Sequence, residues 1–262
     1  MTVLSVRDLR VQLGEHRLLD GVSFDLKAGE VYGIAGSSGS GKTQLLYALM
    51  GLSPRSASAS GSAVLEGREL IGLTQSELTR LRGDRIAMVF QDPMSALNPY
   101  LTIGTQLTEV LRVHRRMSRS AARDAAVAML DAVHILEPGR RLRQYPHELS
   151  GGMRQRVMIA MALLCEPAVL LADEPTTALD VTVQAQVVAL LAELTARLGT
   201  AIVFVTHDLG VLASIADRVA VMERGRIVEE ASAEALYAAP SHATTRELLA
   251  AARELALPGA AS

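Results

Sequence analysis

Gly36-Ser37-Ser38-Gly39-Ser40-Gly41-Lys42-Thr43 decides how the rest of this chain is read. The eight residues satisfy G-x-x-x-x-G-K-[ST], a loop that holds phosphate between a strand and a helix. Immediately upstream, Val31-Tyr32-Gly33-Ile34-Ala35 is an apolar run of buried-strand length. Downstream, Gln44 to Met50 are mostly good helix formers and stop at Gly51, which suits a helix C-cap. Gly36, Gly39 and Gly41 let the backbone turn through positive φ and bring N–H groups against phosphate oxygens. The helix behind them adds partial positive charge. Lys42 supplies a full charge for β and γ phosphates and Thr43 a hydroxyl for Mg2+, while Ser37, Ser38, Ser40 and Gln44 complete the expected nucleotide contacts.

The 262 residues are 49% hydrophobic, enough for a large core built as one domain or two lobes. Acids and bases nearly cancel, 28 against 26, which argues against a surface that coats nucleic acid. Cys165 is the single cysteine, so neither a disulfide framework nor an iron–sulfur cluster is expected, and no Cys/His cluster has zinc spacing. The first residues lack a basic segment followed by an apolar one, and no apolar stretch reaches the ~20 residues that span a bilayer. The expectation is a soluble, cytoplasmic chain that reaches a membrane only through partners.

In chain order, residues 3–13 and 22–26 read as strands, 53–62 as a Ser/Ala/Gly-rich surface loop, and 64–68 as an edge strand and turn. Thr74 and Glu77 form a capping-box pattern ahead of a short helix. A strand over 86–90 ends on Gln91, and a proline-punctuated loop over 92–99 leads into helical periodicity over 103–136, with Ala126, Met129, Leu130 and Val133 on one face. His114-Arg115-Arg116 and Arg140-Arg141 read as a solvated face, with contact to phosphate or lipid as the alternative. Leu149-Ser150-Gly151-Gly152 opens another helix, a strand over 168–172 ends on Asp173-Glu174, and a helix over 181–198 closes at Gly199. A strand over 201–205 ends on Thr206-His207, a hairpin occupies 219–229, and the tail is Ala-rich and helical.

The fold class expected is therefore α/β: a mostly parallel sheet around the phosphate loop, an N-terminal antiparallel β subdomain and an inserted helical subdomain. The boundaries fall at 1–91 and 162–230 for the core, 92–161 for the helical insertion and 231–262 for the tail. Ligands of such sheets bind beyond the carboxyl ends of the strands, so the loop, Gln91, Asp173-Glu174 and His207 are expected at one γ-phosphate. Asp173 suits the orientation of Mg2+, as in phosphate-loop NTPases, and Glu174 beside it suits the polarisation of an attacking water. Ser150-Gly151-Gly152 is a second anion-binding helix start; both serve one nucleotide only if two chains pair head to tail.

Taken together, residues 36–43, Gln91, Leu149-Ser150-Gly151-Gly152-Met153, 169–174, Ala178-Leu179-Asp180 and His207 resemble the ATP-binding subunit of ABC transporters. Residues 90–99, 145–160 and 172–180 are similar to its peptide/nickel importer branch. The resemblance covers nearly the whole chain. It implies ATP with Mg2+ bound by Thr43, Gln91 and Asp173, hydrolysis through Glu174, His207, Gln91 and Lys42, and Ser150, Gly151 and Gly152 on the γ-phosphate of the opposite subunit. Asp180 would help couple the two sites. It also implies a second ATPase subunit, identical or paralogous, two transmembrane permeases, an extracytoplasmic solute-binding protein and a place on the cytoplasmic face of the inner membrane.

Three departures stand out. The family's adenine-stacking aromatic aligns with Leu13, leaving His16 or Arg17 as substitutes. Met153 replaces the usual Gln, and Pro240-Ser241-His242-Ala243-Thr244 matches the branch's tail motif only in part. Lacking the cysteines of an iron–sulfur extension, the sequence tilts slightly from peptides toward nickel or metal chelates. The competing class is an ABC-type ATPase acting on DNA or ribosomes, which one compact near-neutral cassette disfavours. A catalytically dead partner is disfavoured by Lys42, Gln91, Glu174 and His207.

Overall fold

The computed structural model describes residues 1–177 and 179–256. Ala178, part of the motif quoted above, and the last six residues of the tail lie outside the described residues. The described chain forms two compact units, residues 1–78 with those from 201 onward, and residues 79–200.

In the first unit, β1 (Thr2–Leu13) and β2 (His16–Lys27) form an antiparallel hairpin, and β3 (Val31–Ala35) runs into the phosphate loop. Helix α1 (Lys42–Met50) follows and ends at Gly51, whose φ of 61° is the left-handed cap the sequence suggested. Strand β4 (Ala57–Leu65) pairs with β1 and β5 (Arg68–Glu69) with β4, giving an antiparallel sheet ordered β2-β1-β4-β5. This corrects the loop expected over 53–62, because the chain is strand from Ala57. Ser58 and Ser60 lie opposite Gln12 and Arg10 with exposed side chains. Small polar residues give no alternation to read, and pairing with β1 decides their conformation. Strand β2 likewise starts at His16 rather than Val22, paired through Leu13 opposite His16. The capping box holds at α2 (Gln75–Leu81): the Thr74 N–H donates to the Glu77 carboxylate at 2.9 Å and the Glu77 N–H to Thr74 Oγ1 at 3.4 Å.

The second unit opens with β6 (Ile86–Val89) and a loop bearing α3 (Pro93–Ala96). Next come α4 (Ile103–His114), α5 (Arg119–Ala132), α6 (Pro138–Arg141) and α7 (Gly151–Leu163). The periodicity over 103–136 is two helices, because Arg116 takes φ 52° and Ser118 accepts the Ala121 N–H as a fresh N-cap. Ala126, Leu130 and Val133 are fully buried as their spacing implied. Strand β7 (Val169–Asp173) is parallel to β6, with Val89 opposite Ala172, and α8 (Val181–Leu198) ends at Gly199.

The chain returns to the first unit as β8 (Ala201–Thr206), α9 (Leu209–Ile215), β9 (Arg218–Glu223), β10 (Arg226–Ser232), α10 (Ala233–Ala238) and α11 (Ala243–Ala256). Strand β3 is parallel to both β8 and β9, and β10 is antiparallel to β9. The fold is α/β, with one antiparallel sheet and one mostly parallel arrangement, as expected. Tyr32, Ile34, Leu45, Leu49 and Phe204 are fully buried in this unit.

One charged cluster ties its strands together. Arg218 donates to the buried Glu30 carboxylate at 2.8 Å, bonds Glu230, and lies 5.0 Å over the Tyr32 ring, which itself stacks on Phe24. Removing the guanidinium strands Glu30 in a largely dry site. Arg218→Ala should lower the unfolding free energy by about 2–4 kcal/mol, read from urea melts, with Arg218→Lys recovering part. An alanine variant as stable as the parent contradicts this.

The tail is fastened by Glu229, whose carboxylate accepts from the Ser241 N–H at 2.7 Å and the His242 N–H at 2.9 Å. Burial pushes its pKa up, but the hydroxyl and backbone donors of residues 241–245 outweigh it and hold the carboxyl down at about 2. A depressed carboxyl stabilises the fold above its ordinary value, and that gain is lost as pH falls. The stability gap between the parent and Glu229→Gln should be full at neutral pH and shrink from about pH 4.5 toward pH 2. A gap that does not change with pH rules the clamp out.

Candidate functional site

In the first unit, the phosphate loop is held from three sides. A Cβ on Gly36 would lie 2.5 Å from the Met222 carbonyl, and one on Gly41, at φ 107°, 2.9 Å from the Leu18 carbonyl. The Gly225 N–H donates to the Ser40 carbonyl at 2.8 Å. Lys42 is only 6% exposed, and its Nζ donates to the Gly36 carbonyl at 2.7 Å and the Ser37 carbonyl at 3.0 Å. Ser40 Oγ and Gln44 Oε1 are buried without a hydrogen-bond partner among the described residues. The unpartnered Ser40 hydroxyl can donate to a ligand oxygen, on a loop packed too tightly at Gly36 and Gly41 for a Cβ.

His207 follows β8, whose last residue, Thr206, pairs with Ala35 at the end of β3. The phosphate loop and His207 thus leave adjacent parallel strands of one unit. Asp208 caps α9 through the Gly210 and Val211 N–H groups and fixes the turn after the imidazole. Leu13 sits opposite His16 at the hairpin end, and Arg17 is an exposed side chain 3.6 Å from Asp20.

In the second unit, β6 and β7 deliver Gln91 and Asp173-Glu174 from neighbouring strand ends in the same way. Asp173 is 5% exposed. The Gln91 amide donates to the Glu174 carboxylate at 3.3 Å, and the Thr177 hydroxyl donates to the same oxygen at 2.8 Å. Glu174 takes φ 44°, a left-handed backbone that non-glycine residues seldom hold without reason. Its carboxylate is therefore oriented by two donors on a strained turn. Ser150 caps α7, accepting from the Met153 N–H at 3.4 Å. A Cβ on Gly152 would meet Val183 Cγ1 at 3.2 Å, while nothing lies within 4 Å of one on Gly151. Asp180 caps α8 through the Val183 N–H at 2.9 Å.

Two groups of residues escaped the sequence reading. Thr177, three residues after Glu174, adds the second donor to its carboxylate. Gln106, on the buried face of α4, accepts from the Asn98 N–H at 2.9 Å and donates to the Asn98 and Leu101 carbonyls at 3.0 Å each. It pins the loop that follows Gln91. A lone glutamine among Ile103, Leu107 and Leu111 was the available signal.

Thr43 in the first unit carries a hydroxyl, and Gln91 and Asp173 in the second an amide and a carboxylate, each an oxygen donor of a type Mg2+ accepts. Among the described residues no cluster of three His, Cys, Asp or Glu side chains is placed to hold a metal ion. No described helix is long and apolar enough to cross a membrane.

The ABC transporter family profile matches residues 19–177. The chain is 51% identical to the oligopeptide transport ATP-binding protein OppD of Salmonella typhimurium, over 98% of this chain and 78% of that protein. It is 47% identical to the dipeptide transport ATP-binding protein DppD of Bacillus subtilis, over 98% and 79%. Among solved structures, the dimeric post-hydrolysis state of the ATP-binding cassette MJ0796 bound to ADP and Pi superposes with a TM-score of 0.77 at 32% identity, covering 88% of this chain and 98% of that one.

The glycine geometry separates two roles. Gly36→Ala should cost about 1–3 kcal/mol of unfolding free energy because backbone must move, whereas Gly151→Ala, with open space, should stay within about 0.5 kcal/mol. Equal stability of the two variants in urea melts contradicts the packing argument.

Proposed function

Given that the chain belongs to the ABC transporter family, as an ATP-binding, ATP-hydrolysing subunit of the peptide-importer branch, we propose that it energises peptide uptake through the following residues. The amides of the Gly36–Thr43 loop and the Lys42 ammonium hold the β and γ phosphates. Thr43, Gln91 and Asp173 are the ligands assigned to Mg2+, which when bound offsets the negative charge of the transferring phosphoryl group. Glu174 accepts a proton from the attacking water as the new P–O bond forms and the bond to ADP breaks. Gln91 and Thr177 aim its carboxylate, and this oriented glutamate is the observation that carries the reading. His207 hydrogen-bonds the γ-phosphate and steadies the water's approach.

Ser150, Gly151 and Gly152 are assigned to the γ-phosphate held by a second ATPase subunit, identical or paralogous, paired head to tail. The exposed Ser150 and the open space around Gly151 suit contact with another molecule. Two permease subunits hold the pair peripherally at the cytoplasmic face of the inner membrane, and an extracytoplasmic solute-binding protein delivers cargo to them. The named relatives favour peptides over nickel complexes, and transport over work on DNA or ribosomes.

Glu174→Gln keeps the shape and both hydrogen-bonding neighbours but removes the base. ATP binding should persist while steady-state phosphate release falls by at least about a hundredfold. Turnover at the parent rate would refute the role of Glu174.

A further inference from the structure

The second unit carries an open recess of about 300 Å³ that the nucleotide chemistry does not use, walled by Thr102, Thr105, Thr108, Arg119, Arg123 and Arg143. Between residues 102 and 143 the sequence holds eight arginines against four acids, a surplus of four positive charges on a chain of net charge −2. Three other arginines of this stretch are neutralised or bonded, Arg115 to Asp84 at 3.1 Å, Arg140 to Glu137 at 2.9 Å and Arg141 to the Gln144 amide at 2.9 Å, while Arg112 and Arg116 lie outside the recess. The side chains of Arg119, Arg123 and Arg143 have no ion pair or hydrogen bond among the described residues.

Their placement is unfavourable for the protein alone. Arg119 is the first residue of α5, where the helix dipole repels a cation, and no acid sits in that first turn. Arg123 is one turn further on, a like charge at i+4. Arg143 joins them from a different segment, with no acid lining the recess. The opposite wall supplies a proton as well: the Thr102 and Thr105 hydroxyls lie 2.9 Å apart, so one donates to the other and the second is left to donate outward. That wall is fixed, because the Ile103 N–H donates to the Gln144 carbonyl and the Gly104 N–H to the Leu142 carbonyl, each at 2.8 Å. A Cβ on Gly104 would lie 2.7 Å from that Leu142 oxygen.

We propose that this recess binds a phosphate group, as an oxyanion site separate from the Gly36–Thr43 loop. Planar guanidinium forks converging with a hydroxyl match the oxygens of a phosphate, whether free in solution or part of a lipid headgroup.

The test uses the full chain carrying Lys42→Ala, so that the nucleotide loop does not compete. Inorganic phosphate is titrated calorimetrically, and flotation is measured with phosphatidylglycerol and with phosphatidylcholine vesicles. Arg119→Gln/Arg123→Gln is compared with Arg55→Gln/Arg80→Gln, which removes the same charge elsewhere. Arg143→Gln, on a separate segment, must act in the same direction as the α5 pair. Binding weakened at least about tenfold in the recess variants, and unchanged in the control pair, is the expected result. If the loss appears with inorganic phosphate, the ligand is free phosphate; if only with phosphatidylglycerol vesicles, it is the lipid phosphodiester. Recess and control variants that behave alike in both arms, including the case where nothing binds, overturn the proposal and leave a solvated basic face.

Discussion

A buried ammonium is the constraint on which this molecule turns. Lys42 is 6% exposed, and its Nζ is held by the carbonyls of Gly36 and Ser37. Charge is costly to bury without strong partners. The loop can wrap carbonyls around it only because Gly39 and Gly41 accept φ of 78° and 107°. Terminal phosphate oxygens offer the same ammonium further charge-assisted partners. The lysine is thus held in place by the loop it belongs to.

The scaffold around the loop serves that one requirement. The Asp20 N–H donates to the Gly225 carbonyl at 2.9 Å while the Gly225 N–H holds Ser40, so β2 and the turn between β9 and β10 grip the loop together. Arg218, Glu30 and Glu230 lock the far ends of the same strands. In the second unit the equivalent care is spent on a carboxylate. Glu174 sits on a left-handed turn with Gln91 and Thr177 on one oxygen, and Gln106 pins the loop that leaves Gln91. Sites placed by strand ends and fixed by supporting hydrogen bonds need little rearrangement to act.

Much of this was legible in the sequence, for identifiable reasons. The strands carrying the phosphate loop, Gln91, Asp173 and His207 are continuous apolar runs, which announce buried parallel strands. Gly51 and Gly199 ended their helices where expected because left-handed caps favour glycine. The misses lie where pairing, not pattern, decides the structure. Residues 57–62 are small and polar, and only β1 beside them makes them a strand. The break at Arg116 was hidden in a basic run whose periodicity passes unchanged through it. Glu174 was singled out in the sequence, but Thr177 as the second donor to its carboxylate was not, since a threonine three residues on is also an ordinary turn residue. The polar Gln106 on an apolar face showed that a partner exists without showing which.

The proposed role of the buried Lys42 ammonium is to bind phosphate, and removing its charge tests that role. Lys42→Met keeps length and volume while removing the charge, and the variant is examined by thermal unfolding and by Mg2+–ATP titration. The expected result is a folded protein whose ATP affinity is at least about tenfold weaker. Unchanged ATP affinity would contradict it.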